Sequence, residues 1–527
     1  MTFWRKWLVI LVVLSMGCAT GGSGPASSGP YGTSVKYVFL FIGDGMGVAQ
    51  RYAAELYLAD LKGLSRAENS RLVMNTFPAQ GLTTTYDLTG AIPDSASTAT
   101  AIACGTKTKD GVIGMDADAG VSYVSITDSA KKANWKVGIL SSVSLDHATP
   151  AAFYAHVPSR RQMHDISLQL AHSGMDYFAG GQLLRPVDPA DPHKPNAIEV
   201  ARKNGYTVAV GRSAFEALEP GVGKVIALNG VVDSDAAMYF SLDQVGDPNQ
   251  VSIAEYLAKG ITLLDNPHGF FIMVEGGKID WACHAHDAAS SIHDTLALDA
   301  AVSEAVNFYR KHPQETLIIV TGDHETGGMS IGFAGTHDGS FVDKIQHQKM
   351  SYIEFSKKLA DFKKVRTVSD ARLEDLLPVI KEAFGLWVMS AGEKTSLEKG
   401  AAEGQAKGAS QEAGTTAREA ERKPKYGMAL SDLELTGLRD AFRQSMLPEI
   451  ERARDDRTYL LYGGLEPLTV TLTTILGNKA GIGWTSYSHT GLPVQTSALG
   501  VGAELFNGYY DQTDIHAKIM AITGLTR

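Results

Sequence analysis

The chain has 527 residues, of which 44% are hydrophobic and 20% are charged, and this balance is ordinary for a folded body with a sizeable core. Its formal net charge is −10 and no basic stripe offsets it, so the composition argues against a nucleic-acid partner. An anionic substrate would have to be attracted locally, by metal ions and a few arginines.

The N-terminus predicts a targeting segment. Two basic residues precede a short apolar run within residues 1–17, which is typical of a signal peptide and too brief to span a membrane permanently. The run ends at Cys18 and resembles a bacterial lipoprotein processing site, in which Cys18 becomes the lipidated first residue. Ser15 stands where such sites usually have a large aliphatic residue, so ordinary signal cleavage is the alternative. A flexible linker over 18–34 would follow, and we expect an exported, periplasmic protein with membrane contact only through a lipid on Cys18.

Next along the chain, near-continuously apolar runs predict the buried strands of a mostly parallel sheet with helices on both faces, an α/β fold. These runs are 37–42, 137–140, 269–274 and 317–320. Segments with helical spacing, such as 95–104, lie between them. Ligands of such sheets bind beyond the carboxyl ends of the strands. Asp44, Glu275, Asp323 and His324 fall at such ends, which predicts a site there.

The chain is predicted to be a catalytic core with an insertion. Residues 35–339 contain the strand-like runs and form the α/β core. Over 340–456 these runs vanish and charged helical stretches replace them, which is typical of an inserted helical or irregular subdomain. Within it, 390–425 is nearly free of large apolar residues, so we predict a solvated loop or ragged helix. Residues 457–527 return to the core and deliver His489.

The string from Glu275 to His284 is the most informative for chemistry. If a helix begins near residue 279, Asp280 and His284 lie four apart on one face and can bind one metal ion, while Glu275 points at a different ion. The alternative is a strand, a turn and a capped helix with exposed polar residues. Asp323 and His324, directly after a strand, suit the oxygen and nitrogen ligands of zinc.

Asp44 lies in a glycine-rich turn after the first run. Such a turn could cradle a nucleotide, but its spacing matches neither common nucleotide-binding pattern, and we favour an Asp that bridges cations. Ser95 begins a helix of small residues, where backbone amides favour an anion, and the alternative is simply a capped, tightly packed helix. No histidine neighbours Ser95 in sequence, so a metal ion must lower the pKa of its hydroxyl for nucleophilic attack. Further along, Thr149 offers an oxygen ligand and Arg160 could hold two phosphate oxygens.

The strings IGDGMG, PDSASTATAIACGTKT, HATPAAFYAHVPSR, VEGGKIDWACHAHD, VTGDHETGG and SHTG, in this order, resemble alkaline phosphatase. The resemblance implies a phosphomonoesterase that forms a phosphoserine at Ser95, with two zinc ions and one magnesium ion per chain. Its implied residues are Asp280, His284 and His489 for one zinc ion, Asp44, Asp323 and His324 for the second, Asp44, Thr149 and Glu275 for magnesium, and Arg160 for the phosphoryl group.

The chain departs from the best-known bacterial pattern at His147, where that pattern has an Asp, and at Trp281, where it has a Lys. Both are expected to neighbour the third metal ion or the phosphate. An imidazole in place of a carboxylate removes negative charge, so the third ion could be cobalt instead of magnesium.

The competing interpretations share much of this chemistry. A phosphodiesterase or sulfatase could use the same fold and metals, but sulfatases need a Cys/Ser-x-Pro-x-Arg setting that Ser95 lacks, and diesterases more often present Thr. A lipid-anchored protein that binds phosphate without catalysis is the remaining alternative. The sequence leaves open whether the chain forms a homodimer.

Overall fold

The structure, a computed structural model, describes residues 35–64, 70–396 and 427–527. The predicted signal peptide 1–17, the linker 18–34 with Cys18, and most of the segment 390–425 lie outside these residues, so their predicted roles stay predictions. Within the described ranges, no helix has both the length and the apolar character that crossing a bilayer requires.

A ten-stranded sheet forms the centre of the fold. The strands in chain order are β1 (Tyr37–Gly43), β2 (Ala79–Thr84), β3 (Lys136–Ser141), β4 (Tyr177–Gly180), β5 (Tyr206–Val210), β6 (Lys224–Leu228), β7 (Phe270–Gly276), β8 (Thr316–Gly322), β9 (Glu325–Thr326), β10 (Ser330–Ile331), β11 (Ile482–Gly483), β12 (His489–Thr490), β13 (Val494–Gly500) and β14 (Gly508–Asp511). The sheet order is β14-β2-β13-β8-β1-β7-β3-β4-β6-β5, and only β13 runs antiparallel to its neighbours. The short strands form two ribbons, β10 with β11 and β9 with β12. The predicted α/β class with a mostly parallel sheet is confirmed.

Helices connect these strands. They are α1 (Val48–Leu61), α2 (Ser95–Cys104), α3 (Ile126–Lys132), α4 (Ala148–Ala151), α5 (Met163–His172), α6 (Ala197–Lys203), α7 (Arg212–Glu216), α8 (Ile253–Leu264), α9 (Lys278–His284), α10 (Ala288–Tyr309), α11 (Tyr352–Val365), α12 (Leu373–Phe384), α13 (Asp432–Met446), α14 (Asp456–Tyr462), α15 (Pro467–Ala480) and α16 (Gln512–Thr523). Short 3₁₀ turns lie at Val73–Thr76, Ala334–Thr336, Val342–His347, Glu449–Glu451 and Ala503–Phe506.

Both faces of the sheet are covered, which explains why its central strands are apolar at nearly every position. Along β1, Phe39 and Phe41 belong to one hydrophobic cluster, whereas Leu40 and Ile42 belong to a second cluster on the other face. Helices α1, α8 and α10 contribute to the first cluster, and α2, α5 and α16 contribute to the second. A strand buried on both faces needs apolar side chains in both directions, so its pattern is continuous.

The register of the central strands aligns their carboxyl ends. Gly43, the last residue of β1, lies opposite Gly276 of β7 and Gly322 of β8. Ser141, the last residue of β3, pairs with Glu275 of β7. The order β8-β1-β7-β3 therefore brings four loops with polar residues to one edge of the sheet.

The helices of the 340–456 region pack onto the core. Phe355 of α11, Leu376 of α12 and Leu438 of α13 are buried in the same hydrophobic cluster as Phe39 of β1 and Leu472 of α15. The described part of this region is therefore continuous with the core in its packing.

Candidate active site

The first group of ligand-type side chains lies where β1 and β8 end. Asp44, Asp323 and His324 each offer a ligand atom, and these atoms lie within 4.8 Å of one another. His324 Nε2 is 3.3 Å from Asp44 Oδ1 and 3.4 Å from Asp323 Oδ2, and all three side chains are fully buried. Gly45 follows with a φ of 69°, and a Cβ there would come within 2.8 Å of Asp280 Cα. Glycine thus lets the turn approach α9 closely.

The second group forms around Asp280. Asp280 and His284 lie one helical turn apart on α9, and Asp280 Oδ2 is 3.3 Å from His284 Nε2. The other carboxylate oxygen, Oδ1, is 3.6 Å from His489 Nε2. His284 Nδ1 donates to the Tyr487 carbonyl at 2.5 Å, and His489 Nδ1 donates to the Pro93 carbonyl at 2.7 Å. Because a carbonyl only accepts, the proton is assigned to Nδ1 and each Nε2 is left available to a cation.

His489 reaches this group from a distant part of the chain. The pairing of β12 with β9 places His489 opposite Thr326. The rings of His489 and His324 stack with centroids 3.6 Å apart. Asp280, His324 and His489 offer ligand atoms within 4.8 Å of one another, so the first and second groups adjoin at His324.

The third group lies between β1, β7 and the loop after β3. Asp44, His147 and Glu275 offer ligand atoms within 4.8 Å of one another, and His147 Nδ1 is 4.0 Å from Glu275 Oε1. Ser141 donates to the other oxygen of Glu275, Oε2. Thr149 is fully buried in α4.

Several polar atoms of these groups are buried without a hydrogen-bond partner among the described residues. They are both carboxylate oxygens of Asp44, Oε1 of Glu275, Oγ1 of Thr149 and Nδ1 of His147. A buried polar atom left unpaired costs about 1–3 kcal/mol, and more when it is charged. These oxygens are the ligands that a hard divalent cation prefers, so the residues present fit bound metal ions.

Ser95 lies beside the first group. It begins α2, where the Asp94 side chain caps the helix by accepting from Ser97 N at 3.0 Å. Ser95 Oγ is 3.3 Å from His324 Nε2. Thr98, one turn further along α2, donates to Asp323 Oδ2 at 3.3 Å and ties the helix to the site. The hydroxyl is thus held among ligand-type atoms at a helix N-terminus.

Arg160 connects Ser95 to the third group. Its Nη1 donates to Asp94 Oδ2 at 3.0 Å, and its Nη2 donates to His147 Nε2 at 3.0 Å. Since Nε2 accepts here, the proton of His147 belongs on Nδ1, which faces Glu275. Burial, followed by the charge of Arg160, lowers the pKa of His147 to about 3, so the ring is neutral. His147 is therefore a neutral member of the third group, with its proton on the nitrogen that faces Glu275.

The carboxylates of the site repel one another. Burial, reinforced by neighbouring carboxylates, raises the pKa of Asp323 to about 8 and that of Glu275 to about 7. The pKa of Asp44 is raised well above its usual range by burial and then by Asp323. Burial opposes the protonation of His284, but the charge of Asp280 together with the hydrogen bonds to Asp280 and Tyr487 raises the pKa of His284 to about 9. Without cations, the site would have to hold protons in their place.

Every predicted site residue lies in this region. Trp281, beside Asp280 on α9, has its ring centroid 6.2 Å from that of His147. Sequence reasoning missed Thr326, whose Oγ1 donates to Asp280 Oδ1 at 2.5 Å and lies 3.2 Å from His324 Nδ1. It also missed the partnership of Asp94 with Arg160. Thr326 lies two residues after His324, and this proximity in sequence was the feature that could have indicated its place in the site.

The fold and these groups define a metal-binding α/β protein with a serine at its centre. A model of the family described as alkaline phosphatase matches residues 35–182 and 196–420, and the chain belongs to this family.

Curated relatives agree with this assignment. Alkaline phosphatase 4 of Drosophila melanogaster is 28% identical over 377 residues, which cover 61% of this chain and 63% of that protein. The match thus spans less than two thirds of that relative. Alkaline phosphatase 3 of Bacillus subtilis is 26% identical over 494 residues, 92% of this chain and 88% of that protein.

Solved structures share the fold. A cold-active alkaline phosphatase from Shewanella sp. has a TM-score of 0.69 at 24% identity and covers 92% of this chain and 99% of its own. The alkaline phosphatase of Thermus thermophilus has a TM-score of 0.71 at 21% identity and covers 97% of this chain and 96% of its own. A variant of the TAB5 alkaline phosphatase, with Mg bound in its M3 site, has a TM-score of 0.57 at 22% identity and covers 94% and 99%.

The raised carboxyl pKa values predict how the metal-free protein responds to pH. Asp323 and Glu275 ionise near 3.8 and 4.5 in the unfolded chain but near 8 and 7 in the metal-free fold. The fold therefore binds more protons than the unfolded chain between about pH 4 and pH 8, and its stability falls as the pH rises. We expect the Tm of chelator-treated protein to drop by about 5 °C or more between pH 5 and pH 8.

The matched control is protein reloaded with zinc and magnesium, in which cations offset the carboxylate charge. Its Tm should fall much less over the same range, as measured by calorimetry. Parallel Tm curves for the two preparations would contradict the electrostatic account of the site.

Proposed function

We propose that this protein is an exported, metal-dependent alkaline phosphatase, which hydrolyses phosphate monoesters to an alcohol and inorganic phosphate through a covalent phosphoserine at Ser95. The observation that carries the proposal is the position of Ser95 Oγ, 3.3 Å from His324 Nε2 where the first two ligand groups adjoin. Membership of the alkaline phosphatase family supports the same activity.

The proposal includes two zinc ions and one magnesium ion per chain. The ligands would be Asp280, His284 and His489 for one zinc ion, Asp44, Asp323 and His324 for the second, and Asp44, Thr149 and Glu275 for magnesium. The unpaired buried oxygens of Asp44, Thr149 and Glu275 support the magnesium ligands, as does the Mg in the M3 site of the TAB5 variant. The convergence of ligand atoms in the other two groups supports the zinc ligands. When bound, these cations lower the pKa of the serine hydroxyl and neutralise the charge of the phosphoryl group.

Ser95 is the nucleophile in the first of two displacements at phosphorus and the leaving group in the second. Its Oγ loses its proton and attacks, the bond from phosphorus to the ester oxygen breaks, and the alcohol leaves and takes up a proton. Water then attacks the phosphoserine, inorganic phosphate departs, and Ser95 regains its proton. The N-terminus of α2 favours the negative charge that develops at this position.

Arg160 is the proposed clamp for the phosphoryl oxygens. Its hydrogen bond to Asp94 holds the guanidinium near Ser95, because Asp94 directly precedes Ser95 in the chain. The Arg160 side chain keeps 28% of its surface exposed, so it retains donors for an incoming anion. A planar guanidinium can bind two phosphoryl oxygens at once, which suits a dianionic monoester.

Other parts of the proposal concern location. The sequence of residues 1–18 supports export to the periplasm, with a lipid on Cys18 as the membrane anchor. A phosphodiesterase or sulfatase is the runner-up activity, and relative rates on p-nitrophenyl phosphate, its diester and its sulfate distinguish the three. A non-catalytic phosphate-binding lipoprotein would retain phosphate and turn over none of them.

Replacing the nucleophile tests the covalent step. We expect Ser95→Ala to lower kcat for p-nitrophenyl phosphate by at least about 1,000-fold, because the Ser95 hydroxyl is the proposed nucleophile. The neighbouring hydroxyls of Thr98 and Thr326 already donate to carboxylates of the site. Zinc content, measured by elemental mass spectrometry of the purified protein, should stay near the wild-type value, since Ser95 is not a proposed ligand. Near-normal turnover by folded Ser95→Ala protein would refute the assignment.

Changing the charge beside the third group tests which ion it prefers. His147→Asp adds a carboxylate where a neutral imidazole now accepts from Arg160, so we expect the ratio of bound magnesium to bound cobalt to rise about tenfold. Metal analysis after equilibration with both ions measures this ratio, and His147→Asn serves as the uncharged control. An equal ratio in His147→Asp and His147→Asn would show that charge at this position does not set the preference.

A further inference from the structure

A cavity of about 440 Å³ opens beside the proposed phosphoryl clamp. Its lining includes His147, Arg160, Arg161, Met163, Asp235 and Trp281. The proposed function places the phosphoryl group between Ser95 and Arg160, so the cavity adjoins the space that the alcohol part of the ester must occupy. Pockets that bind small molecules combine apolar walls with a few polar groups, as this lining does.

One wall of the cavity is held by a buried ion pair. Lys278 is fully buried, and its Nζ donates to Asp233 Oδ2 at 2.6 Å, where the Asp233 side chain is 1% exposed. The same Nζ lies 4.5 Å from the centroid of a Trp281 ring and 4.1 Å from that of Phe240. Removing two charges from water is costly. The short hydrogen bond between the two charged groups and the aromatic rings beside the ammonium offset this desolvation cost. It therefore holds the indole of Trp281 in one place, which a solvated lysine would not do.

The same ion pair also positions the loop that carries Asp235. Asp233 Oδ1 accepts from the backbone N–H of Asp235 at 2.9 Å and from that of Ala237 at 3.0 Å. Asp235 thus lies on a loop that is tied to α9 beneath Trp281. Because one interaction positions both Trp281 and the loop of Asp235, the cavity is formed before any substrate arrives, and preformed pockets bind with a smaller loss of entropy.

The charged side chains of the cavity differ in whether they already have hydrogen-bond or ion-pair partners. Arg160 is already bonded to Asp94 and His147. Arg161 is exposed, and within the described ranges its guanidinium has no hydrogen bond or ion pair with another residue, so it is available to a ligand. Asp235 is exposed as well and is the acidic residue of the lining.

We infer that this cavity binds the alcohol part of the ester and favours aromatic phosphomonoesters whose ring carries a further negative charge. In this subsite the ring contacts Trp281 and the additional anion pairs with Arg161. The inference rests on the proposed function, since it assumes that a phosphomonoester occupies the site beside Arg160. Neither Trp281 nor Arg161 takes part in bond breaking, so the effect of these two side chains falls on substrate choice.

The experiment compares kcat/KM for carboxyphenyl phosphate, phenyl phosphate and glycerol phosphate, with zinc- and magnesium-loaded protein. Arg161→Gln should lower the ratio of carboxyphenyl to phenyl phosphate about threefold, which is the size of an exposed charge pair. Asp235→Asn is the matched control, because it removes a negative charge from the cavity instead of a positive one. It should raise the same ratio by a similar factor. Trp281→Ala should lower the ratio of phenyl to glycerol phosphate, because the ring loses its contact surface.

The outcomes separate the subsite from the reaction. If all three esters are hydrolysed and neither Arg161→Gln nor Asp235→Asn changes the ratio of carboxyphenyl to phenyl phosphate, the subsite is wrong and the proposed function stands. If the wild-type protein hydrolyses none of the esters, the proposed function itself fails. Both exposed substitutions are expected to fold, so a change in Tm would not account for the ratios.

Discussion

The burial of several carboxylates side by side is the constraint on which the rest of the structure depends. Asp44, Glu275, Asp280 and Asp323 converge in a space that excludes most water. Arg160 is the basic side chain that contacts the site, and it is bonded to Asp94 and His147. Such a group of charges is stable only if protons or cations compensate it, and divalent cations do so at the pH where phosphomonoesters are dianions.

The fold supplies the geometry that this constraint requires. Adjacent parallel strands bring their carboxyl ends to one edge, so Asp44, Glu275 and Asp323 are close because of the register of β1, β7 and β8. The backbone carbonyls of Tyr487 and Pro93 accept from Nδ1 of His284 and His489, which leaves Nε2 of each ring facing the site. Ser95 is held among these groups.

The sequence predicted the parts of the fold whose pattern is strong. Strands β1, β3, β7 and β8 are apolar at nearly every position because both faces are buried, and the predicted runs lie at these strands. Outer strands were missed because their patterns are mixed: Thr207 in β5 is exposed, and β2 contains Gln80 and Thr83. Helices after residue 340 were anticipated from their charged, periodic sequence, but an amphipathic pattern does not name the surface that it packs against.

The site was predictable where residues follow strand ends and unpredictable where loops meet. The contact between Arg160 and Asp94 joins residues 66 positions apart through loop geometry, which no spacing rule reveals. The protonation of His147 likewise depends on Arg160 as a donor, so sequence alone could place the ring near the third ion without saying which nitrogen faces it. The ion pair between Lys278 and Asp233 was likewise not predictable from the sequence. It depends on the burial of both side chains, which only the folded structure shows.

Anomalous X-ray diffraction at the zinc edge, from crystals grown with zinc and magnesium, tests the central claim most directly. The account predicts two zinc peaks about 4 Å apart, one bounded by Asp280, His284 and His489 and the other by Asp44, Asp323 and His324, the group that Ser95 adjoins. The third site, beside Glu275 and Thr149, should show no anomalous peak at the zinc edge when magnesium occupies it. Well-ordered crystals with no anomalous peak among these side chains would contradict the account.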